Sequence, residues 1–224
     1  MPEHRLAISG YGKMGKLIEQ IAPEYGFTVT HITDQNESRG DTHGLDVAID
    51  FSVPAAVAEN VEKFAQLGAN LVIGTTGWLD RFEEVKTIAH RHNIGIVWSP
   101  NFSIGVNVFK RLVDEAARLL ANQPEYGAWA WEIHHSTKKD CPSGTLLKLV
   151  EIMRDAGYER SVDVCGSRAG AHPGSHEIGF DSAADTITLR HVARNREGFA
   201  RGALHAAKWI IGKKGVHEFG ESLK

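Results

Sequence analysis

The sequence predicts an α/β protein, in which a parallel sheet covered by helices on both faces is followed by a second unit of the α+β class. Two observations lead to this prediction. Short apolar strands alternate with helical periodicity through the first half of the chain, which is typical of a parallel sheet. Later, three strand-like runs follow one another without a long helix between them, which favours a mixed or antiparallel sheet.

In the first half, each strand ends in small or turn-forming residues, and all but the second lead toward a helix. Pro54 suits the first turn of a helix, because the N–H that proline lacks has no partner there. The predicted strands are 6–8, 27–33, 47–49, 71–73 and 94–98, and the predicted helices begin near Met14, Pro54 and Leu79.

In the second half, residues 106–120 have the apolar spacing of an amphipathic helix, and residues 199–211 form another one near the end. The elements predicted between them are strands 129–134, 162–167, 176–180 and 186–192 and a helix at 145–154. We therefore expect one domain made of residues 1–103 and about 196–224, and a second domain made of residues 104–195.

The composition excludes several classes of partner. The 224 residues carry a net charge of -3 and are 42% hydrophobic, so neither nucleic acid nor a membrane surface is an expected partner. No apolar run reaches transmembrane length, and the first residues lack the apolar core of a signal peptide. Two cysteines do not form a disulfide framework. We therefore expect a cytoplasmic protein.

A glycine-rich turn follows the first strand and opens the first helix. It reads Gly10-Tyr11-Gly12-Lys13-Met14-Gly15, the spacing of a dinucleotide-binding turn. The first glycine allows the tight turn, the second lets a pyrophosphate approach the backbone, and the third allows close packing of helix on strand. Because the free N–H groups of the helix start attract phosphate, the turn predicts a Rossmann-type domain that binds a dinucleotide.

Asp34 ends the second predicted strand, where the dinucleotide fingerprint places an acidic residue. A carboxylate there accepts hydrogen bonds from the adenosine ribose and repels a 2′-phosphate unless a cation lies close by. Lys13 and Arg39 are candidates for that cation. We therefore expect use of NADH, with use of NADPH also open.

Two later strand ends are expected to line the same crevice, because ligands of open α/β sheets lie beyond the carboxyl ends of the strands. Gly74, Thr75 and Thr76 follow one strand, and Ser99, Pro100, Asn101 and Phe102 follow the next. We expect Phe102 to face the nicotinamide ring.

The segment EIHHSTKKDCPSGT, residues 132–145, collects proton donors just before a predicted helix. Free N–H groups at Ser143, Gly144 and Thr145 can bind an anion such as a substrate carboxylate, and Lys138 adds positive charge. His134 ends a strand, where it could deliver a proton near neutral pH.

Alternatives to this interpretation remain open at this point. Glu132, His134 and His135 could suggest a metal site, but adjacent strand residues point to opposite faces, so we expect no metal. Cys141 lies near a helix start, where its pKa could fall, as in an aldehyde-oxidising enzyme. A non-catalytic NAD-binding sensor would share the glycine turn but would have no need of His134 and Lys138.

Several motifs together resemble the dihydrodipicolinate reductase family. The resemblance covers nearly the whole chain. It rests most on EIHHSTKKDCPSGT, which is similar to the family pattern E-x-H-H-x-x-K-x-D-A-P-S-G-T. It also rests on GTTG at 74–77, SPNFSIGVN at 99–107, SRAGAHPGSHEIGF at 167–180 and REGFARGALHAAKW at 196–209.

The resemblance implies reduction of 4-hydroxy-tetrahydrodipicolinate by NADH and/or NADPH in the diaminopimelate route to lysine, with a small dicarboxylate as substrate. It implies a dinucleotide-binding first domain and a second domain for substrate binding and for assembly into a homotetramer. It assigns the catalytic acid to His134 and the catalytic lysine to Lys138. The implied substrate contacts are His135, Gly144 and Thr145, with Ser143 adjacent. The implied cofactor contacts are Gly10–Gly15, Asp34, Gly74–Thr76 and Ser99–Phe102.

The chain also departs from the family pattern. Cys141 stands where the family usually has alanine, and Gln35 stands where some members carry a basic residue after the acidic one. The glycine turn is one residue shorter than in many members, and the chain itself is short for the family.

Overall fold

A computed structural model describes residues 4–35 and 37–224 of the chain. Within these ranges it contains eleven strands and six α-helices. The strands are β1 (His4–Ser9), β2 (Phe27–Asp34), β3 (Glu37–Gly40), β4 (Val47–Asp50), β5 (Asn70–Ile73), β6 (Gly95–Trp98), β7 (Gly127–His134), β8 (Val162–Arg168), β9 (Ser175–Asp181), β10 (Thr186–Val192) and β11 (Gly215–Glu218). The helices are α1 (Lys13–Ile21), α2 (Val57–Gln66), α3 (Phe82–Arg91), α4 (Ile104–Leu120), α5 (Gly144–Asp155) and α6 (Glu197–Ile210). Short 3-10 helices lie at Ala22–Tyr25, Pro54–Ala56, Leu79–Arg81 and Phe219–Leu223.

The described chain divides into two compact units. Unit 1 contains the described residues up to Ile104 together with Glu197–Lys224, and unit 2 contains Gly105–Arg196. Helix α6 therefore belongs to the unit in which the chain begins.

The sheet of unit 1 has seven strands in the order β11-β6-β5-β4-β1-β2-β3. Neighbouring strands are parallel throughout, except that β3 runs antiparallel to β2 at the edge. The chain moves outward from β1 to β2 and then returns past β1 to β4, so the strand order reverses between β1 and β4. In sheets of this kind, ligands bind beyond the carboxyl ends of the strands at such a reversal. The predicted α/β class and Rossmann-type sheet are confirmed.

Helices cover both faces of this sheet, as the burial within β1 shows. Leu6 and Ile8 are fully buried in a core that also contains residues of α1 and α6. Ala7 lies between them in sequence, is equally buried, and belongs to a second core with residues of α2 and α3. Successive residues of a strand point to opposite faces, so a strand buried on both faces has a continuous apolar run.

The sheet of unit 2 has four strands in the order β10-β9-β7-β8. The pair β7–β8 is parallel and the other two pairs are antiparallel, so the predicted mixed sheet is confirmed. Alternate residues of β7 are buried, and Ala128 and Ala130 share a core with residues of α4 and α5. Trp129 and Trp131 therefore lie on the opposite face, which these helices do not cover.

Strands β3 and β11 are the elements that the sequence pattern did not predict. Both are four residues long, and all residues of β3 are exposed, so neither has the apolar run that marks a buried strand. Among the described helices, none combines the length with the apolar composition needed to cross a bilayer.

Candidate active site

The glycine turn between β1 and α1 owes its shape to three glycines with different roles. Gly10 has a φ of 87°, and a Cβ there would collide with the backbone of Phe51. A Cβ at Gly15 would collide with the carbonyl group of Gly10. Gly12, in contrast, has open space where its Cβ would lie. Gly10 and Gly15 therefore allow close packing, while Gly12 leaves the backbone open to a ligand.

The start of α1 fits a phosphate group. Gly12 is the N-cap and makes no side-chain capping hydrogen bond, and the first turn of the helix contains no acidic residue. The first N–H groups of the helix are therefore available for an anion. Of the other predicted residues in the turn, Lys13 is exposed and Met14 packs against the core. The ring of Tyr11 lies 5.0 Å from the guanidinium carbon of Arg39.

A cleft of about 940 Å³ opens at the carboxyl ends of β1, β2 and β4. Its walls include three of the predicted cofactor residues, namely Gly10, Gly12 and Asp34. Asp34 is exposed and lies directly opposite Glu37 in the β2–β3 pair. We call this space the strand-end cleft. Its lining also includes residues that were not predicted from the sequence, among them Glu37, Phe51, Ser52 and Lys63.

The loop after β5 contains the predicted residues Gly74, Thr75 and Thr76. A Cβ at Gly74 would collide with the ring of Phe51, so glycine lets this loop pack against the loop after β4. Thr75 is buried and its hydroxyl donates to the buried carboxylate of Asp50, while Thr76 is exposed. The loops after β4 and β5 are therefore joined by packing and by a hydrogen bond.

The loop after β6 contains the predicted residues Ser99, Pro100, Asn101 and Phe102. The hydroxyl of Ser99 donates to the carbonyl of Asn101 at 2.9 Å and accepts from its N–H at 3.1 Å, while Pro100 is exposed. Phe102 is only 2% exposed, and its ring centre lies 4.8 Å from that of Phe219 in the core. The ring of Phe102 therefore packs in the core of unit 1 and lines no open space, unlike our expectation, whereas Phe51 does line the strand-end cleft.

In unit 2, a buried carboxylate lies at the centre of the second group of predicted residues. Glu132 and His134 are two residues apart on β7, so both point to the face covered by helices. Glu132 is 0% exposed. Its carboxylate accepts the N–H of Ser143 at 2.8 Å, the hydroxyl of Ser143, and Nη2 of Arg168 at 2.8 Å.

These partners keep Glu132 ionised. Burial raises the pKa of its carboxyl, but the hydrogen bonds from Ser143 and Arg168 outweigh burial and lower the pKa below its ordinary value. The network is thus a buried negative charge that is fully hydrogen-bonded, which is the condition for such a charge to be tolerated.

Two histidines face the same carboxylate. Nδ1 of His134 lies 3.6 Å from Oε2 of Glu132, and Nε2 of His176 lies 3.4 Å from the same oxygen. Burial lowers the pKa of His134, Glu132 opposes this, and Lys138 and Arg168 lower it further, so the net pKa is below the ordinary value. Burial, followed by the charge of His134, lowers the pKa of His176 to about 4. We call Glu132, His134, Arg168 and His176 the histidine cluster.

Gly174 lies against the other edge of the His134 ring. Its φ is 134°, and a Cβ there would lie 3.0 Å from Nε2 of His134. The side chain of His134 is 11% exposed, whereas its Nδ1 is buried. Glycine at position 174 therefore leaves room beside Nε2, the ring nitrogen that does not face Glu132.

The remaining predicted residues lie in the loop after β7 and at the start of α5. Lys138 donates from Nζ to Asp140 at 2.7 Å, and a ring nitrogen of His135 lies 2.7 Å from the hydroxyl of Thr137. Ser143 caps α5 by accepting the N–H of Leu146 at 3.2 Å. The N–H of Ser143 donates to Glu132, so it is already used within the protein. The other two predicted anion-binding positions, Gly144 and Thr145, do not make this bond.

Among the residues that the structure describes, one group of side chains has the spacing of a metal site. Ligand atoms of Glu132, His134 and His176 lie within 4.8 Å of one another. Both oxygens of Glu132 are engaged by Ser143 and Arg168, so the geometry is that of a hydrogen-bonded ion-pair network. His135, which we had considered as a ligand, lies outside this group.

Arg168, Gly174 and His176 were assigned no role from the sequence, although they lie in the stretch SRAGAHPGSHEIGF that carries part of the family resemblance. Arg168 and His176 lie on β8 and β9, and the strand pairing brings them beside β7. The two-residue spacing of Glu132 and His134 is the local signal that puts those two on one face of a strand.

Comparison with known proteins identifies the family of this chain. Residues 4–102 match the family described as "Dihydrodipicolinate reductase, N-terminus", and residues 105–223 match "Dihydrodipicolinate reductase, C-terminus". A 4-hydroxy-tetrahydrodipicolinate reductase from Xanthomonas euvesicatoria pv. vesicatoria is 43% identical over 219 residues, covering 90% of this chain and 89% of that protein. One from Archaeoglobus fulgidus is 35% identical over 261 residues, covering 98% and 100%.

A solved structure of dipicolinate-bound dihydrodipicolinate reductase from Paenisporosarcina sp. TG-14 has the same fold. It superposes with a TM-score of 0.80 over 96% of this chain and 97% of that one, at 21% sequence identity. The chain therefore belongs to the dihydrodipicolinate reductase family of NAD(P)H-dependent oxidoreductases.

Proposed function

We propose that this chain reduces 4-hydroxy-tetrahydrodipicolinate to tetrahydrodipicolinate with NADH or NADPH, as a step of diaminopimelate and lysine biosynthesis. The observation that carries the proposal is His134, whose ring lies between a buried carboxylate and a glycine that has no Cβ to crowd Nε2. The reductases among its relatives act on this substrate by name, which supports the same assignment here.

The strand-end cleft is the proposed binding site of the cofactor. When bound there, the nicotinamide supplies the hydride. The open backbone at Gly12 and the uncapped start of α1 fit a pyrophosphate, and Asp34 accepts hydrogen bonds from the adenosine ribose. The predicted residues Gly74–Thr76 and Ser99–Phe102 complete the edge of the sheet, with Phe102 contributing through its backbone.

We further propose that NADH is preferred over NADPH. Asp34 and Glu37 face each other across the β2–β3 pair and both line the cleft, so two carboxylates would lie near a 2′-phosphate. The guanidinium of Arg39, one of the two candidate cations in the sequence, lies over the ring of Tyr11. The ratio of kcat/KM for the two cofactors measures this preference directly.

The substrate is proposed to bind at unit 2 through its carboxylates. The N–H groups of Gly144 and Thr145 at the start of α5 form one anion site, and Lys138 and His135 supply further donors. Gly144 has open space where a Cβ would lie, so a ligand can approach the backbone there. A relative of the same fold is solved with dipicolinate, which is a dicarboxylate of similar shape.

Proton delivery is proposed to come from His134. Loss of water from the 4-hydroxyl group of the substrate gives a ring carbon conjugated with the imine. Hydride addition to that carbon then leaves negative charge that must be protonated. Nε2 of His134 donates this proton, and Lys138 assists in proton supply. A well-placed acid of this kind typically contributes about 10²–10⁴-fold in rate.

The experiment that tests the proposed function follows NADH absorbance with freshly generated substrate. Rapid loss of absorbance that depends on both enzyme and substrate is expected. Absence of NADH and NADPH oxidation under these conditions would contradict the assignment.

A homotetramer and a cytoplasmic location are proposals of the same kind. The uncovered face of the unit 2 sheet carries Trp129 and Trp131, and large apolar side chains on an open face are typical of a subunit interface. Light scattering is expected to give about four times the chain mass of 24.6 kDa. A monomeric mass would exclude the tetramer.

A further inference from the structure

We propose that Glu132 is a positioning residue for the reaction: its carboxylate holds the imidazole of His134 through Nδ1 and thereby directs Nε2 toward the substrate. The inference rests on the proposed function, because it gives a partner to the residue that delivers the proton. It assigns to Glu132 a role beyond that of a buried ion pair with Arg168.

The two oxygens of Glu132 have different partners. Oε1 accepts the N–H of Ser143 and Nη2 of Arg168, each at 2.8 Å. Oε2 accepts the hydroxyl of Ser143 and is the oxygen that faces both histidines. Arg168 and the backbone of Ser143 therefore fix the carboxylate so that Oε2 remains directed at Nδ1 of His134.

The surroundings of Nδ1 require such a partner. Nδ1 of His134 is buried and makes no hydrogen bond within the described part of the chain. Oε2 of Glu132 lies 3.6 Å away, so a small rotation of the ring brings the two atoms within hydrogen-bond distance. Catalytic hydrogen bonds are often long in ligand-free structures and shorten when the ligand binds. A proton on Nδ1 that is held by Glu132 leaves Nε2 as the nitrogen that exchanges a proton with the ligand.

The same carboxylate also holds the proposed substrate site. Ser143 donates to Glu132 with its N–H and its hydroxyl, and that hydroxyl also accepts the N–H of Leu146 in the first turn of α5. Glu132 thus connects the proton donor to the helix start that binds a substrate carboxylate. A change at Glu132 should therefore alter proton delivery and substrate placement together.

The charges around His134 determine how its titration responds to Glu132. The negative charge of Glu132 stabilises the protonated ring, whereas the positive charges of Lys138 and Arg168 destabilise it. His176 is neutral near pH 7, because its pKa is about 4. The titratable and charged groups that face His134 are Glu132 on β7, Arg168 on β8, His176 on β9, and Lys138 and Asp140 in the loop after β7.

The first test is the pH profile of the Glu132→Gln variant. Activity requires protonated His134, so kcat falls as pH rises through its pKa. Removing the charge of Glu132 lowers that pKa, so we expect the falling limb to move to lower pH by about one unit. We expect kcat at pH 7.5 to fall by at least about tenfold and KM for NADH to stay within about twofold. Glu132→Asp retains the charge and should restore the position of the limb.

A matched control changes a carboxylate that pairs with arginine elsewhere in unit 2. Asp114 forms an ion pair with Arg118 on α4, and Asp114→Asn should leave the pH profile unchanged. The double variant Glu132→Gln with Arg168→Met removes both members of the buried pair. If Glu132→Gln unfolds because Arg168 has lost its partner, the double variant provides a folded protein without the charge of Glu132.

A second measurement does not depend on activity. The ring titration of His134 is followed by NMR on histidine-labelled protein and is assigned with His134→Gln. We expect its midpoint to be lower in Glu132→Gln than in the unchanged protein, and close to that of the unchanged protein in Glu132→Asp. In the double variant the loss of Arg168 acts in the opposite direction, so its midpoint is compared with that of Arg168→Met. An unchanged midpoint in Glu132→Gln, or a loss of kcat without movement of the limb, would overturn the role of Glu132. If the unchanged protein failed to oxidise NADH, the proposed function would fail, while this titration would still decide the coupling of Glu132 to His134.

Discussion

The strand-end cleft of unit 1 and the histidine cluster of unit 2, which we propose act in one reaction, are built in opposite ways. The cleft is lined by the segments that follow three parallel strands, and its glycine turn leaves the backbone at Gly12 open to a ligand. The histidine cluster consists of side chains from three strands, gathered around one buried carboxylate. The glycine turn is thus formed by neighbouring residues in the sequence, whereas strand pairing forms the histidine cluster.

This difference predicts how each site responds to substitution. A Cβ added to the cleft changes the space available to the dinucleotide, and so it changes binding. A side chain removed from the histidine cluster changes the protonation and position of His134, and so it changes the chemical step. We therefore expect variants of unit 1 to affect cofactor KM and variants of unit 2 to affect kcat.

The largest expected effect is that of His134→Gln. Glutamine keeps a polar side chain but cannot deliver a proton as an acid, so kcat should fall by about 10²–10⁴-fold. The dissociation constant of NADH should stay within about twofold, because no part of the strand-end cleft is changed. Steady-state kinetics and a fluorescence titration of NADH measure the two quantities. A loss of less than tenfold would mean that another group is the acid.

The next effect is that of an alanine in the glycine turn, where two positions separate binding from folding. Gly12 has open space at its Cβ, so Gly12→Ala should fold normally but weaken NADH binding by at least about tenfold, since the methyl group takes the place of the phosphate. Gly10 has a φ of 87° and no space, so Gly10→Ala should also lower the melting temperature. Thermal melts and NADH titrations of both variants test this. Unchanged NADH binding by Gly12→Ala would exclude the turn as the phosphate site.

The same contrast between the two sites explains which parts of the fold and of the candidate site could be predicted from the sequence. The α/β class, most strands and the glycine turn followed from local patterns, because apolar runs and glycine spacing are properties of neighbouring residues. Strands β3 and β11 did not, because short exposed strands carry no apolar signal.

The histidine cluster could be predicted only in part. Glu132 and His134 share a strand face through their spacing, but Arg168 is 36 residues from Glu132 in the sequence and reaches it only because β8 pairs with β7. For Phe102, the local pattern was present but did not predict the direction of the side chain. It follows a strand at the expected edge, yet packing against Phe219 directs its ring into the core.

A smaller effect is expected at Gly174, which tests the space beside His134. A Cβ there would lie 3.0 Å from Nε2, so Gly174→Ala should lower kcat by about tenfold through displacement of the ring. Gly170 is a suitable control, because it also has a positive φ but no atom near its Cβ position. Because alanine is more strained at the φ of Gly174 (134°) than at that of Gly170 (51°), the melting temperature of each variant is measured beside kcat to separate strain from the collision. Equal effects would show that backbone strain, not the His134 ring, is responsible.

A still smaller effect is expected at Asp34, which refines the description of the cleft. Asp34→Asn removes one of two carboxylates near the proposed ribose site, so the preference for NADH over NADPH should fall by roughly three- to tenfold. Glu37→Gln is the matched variant on the facing strand. The ratio of kcat/KM for the two cofactors gives the result, and an unchanged ratio in both variants would remove these carboxylates from cofactor recognition.

The smallest effect is expected at Cys141, which separates the reductase from an aldehyde-oxidising enzyme. Its thiol is exposed and lies 3.7 Å from the carbonyl oxygen of Gly166, to which it donates. Cys141→Ala should therefore retain kcat within about twofold. Loss of activity in this variant, measured by NADH absorbance, would indicate a catalytic thiol.

The central claim is that the dinucleotide held by unit 1 reduces a ligand that is protonated by unit 2. Its most direct test is isotope transfer from NADH deuterated at C4 of the nicotinamide. We predict that the unchanged protein transfers deuterium to a ring carbon of tetrahydrodipicolinate, and that His134→Gln binds the labelled NADH but transfers it far more slowly. A product that forms without deuterium from either face of the nicotinamide, or a His134→Gln variant that transfers at the rate of the unchanged protein, would contradict the account.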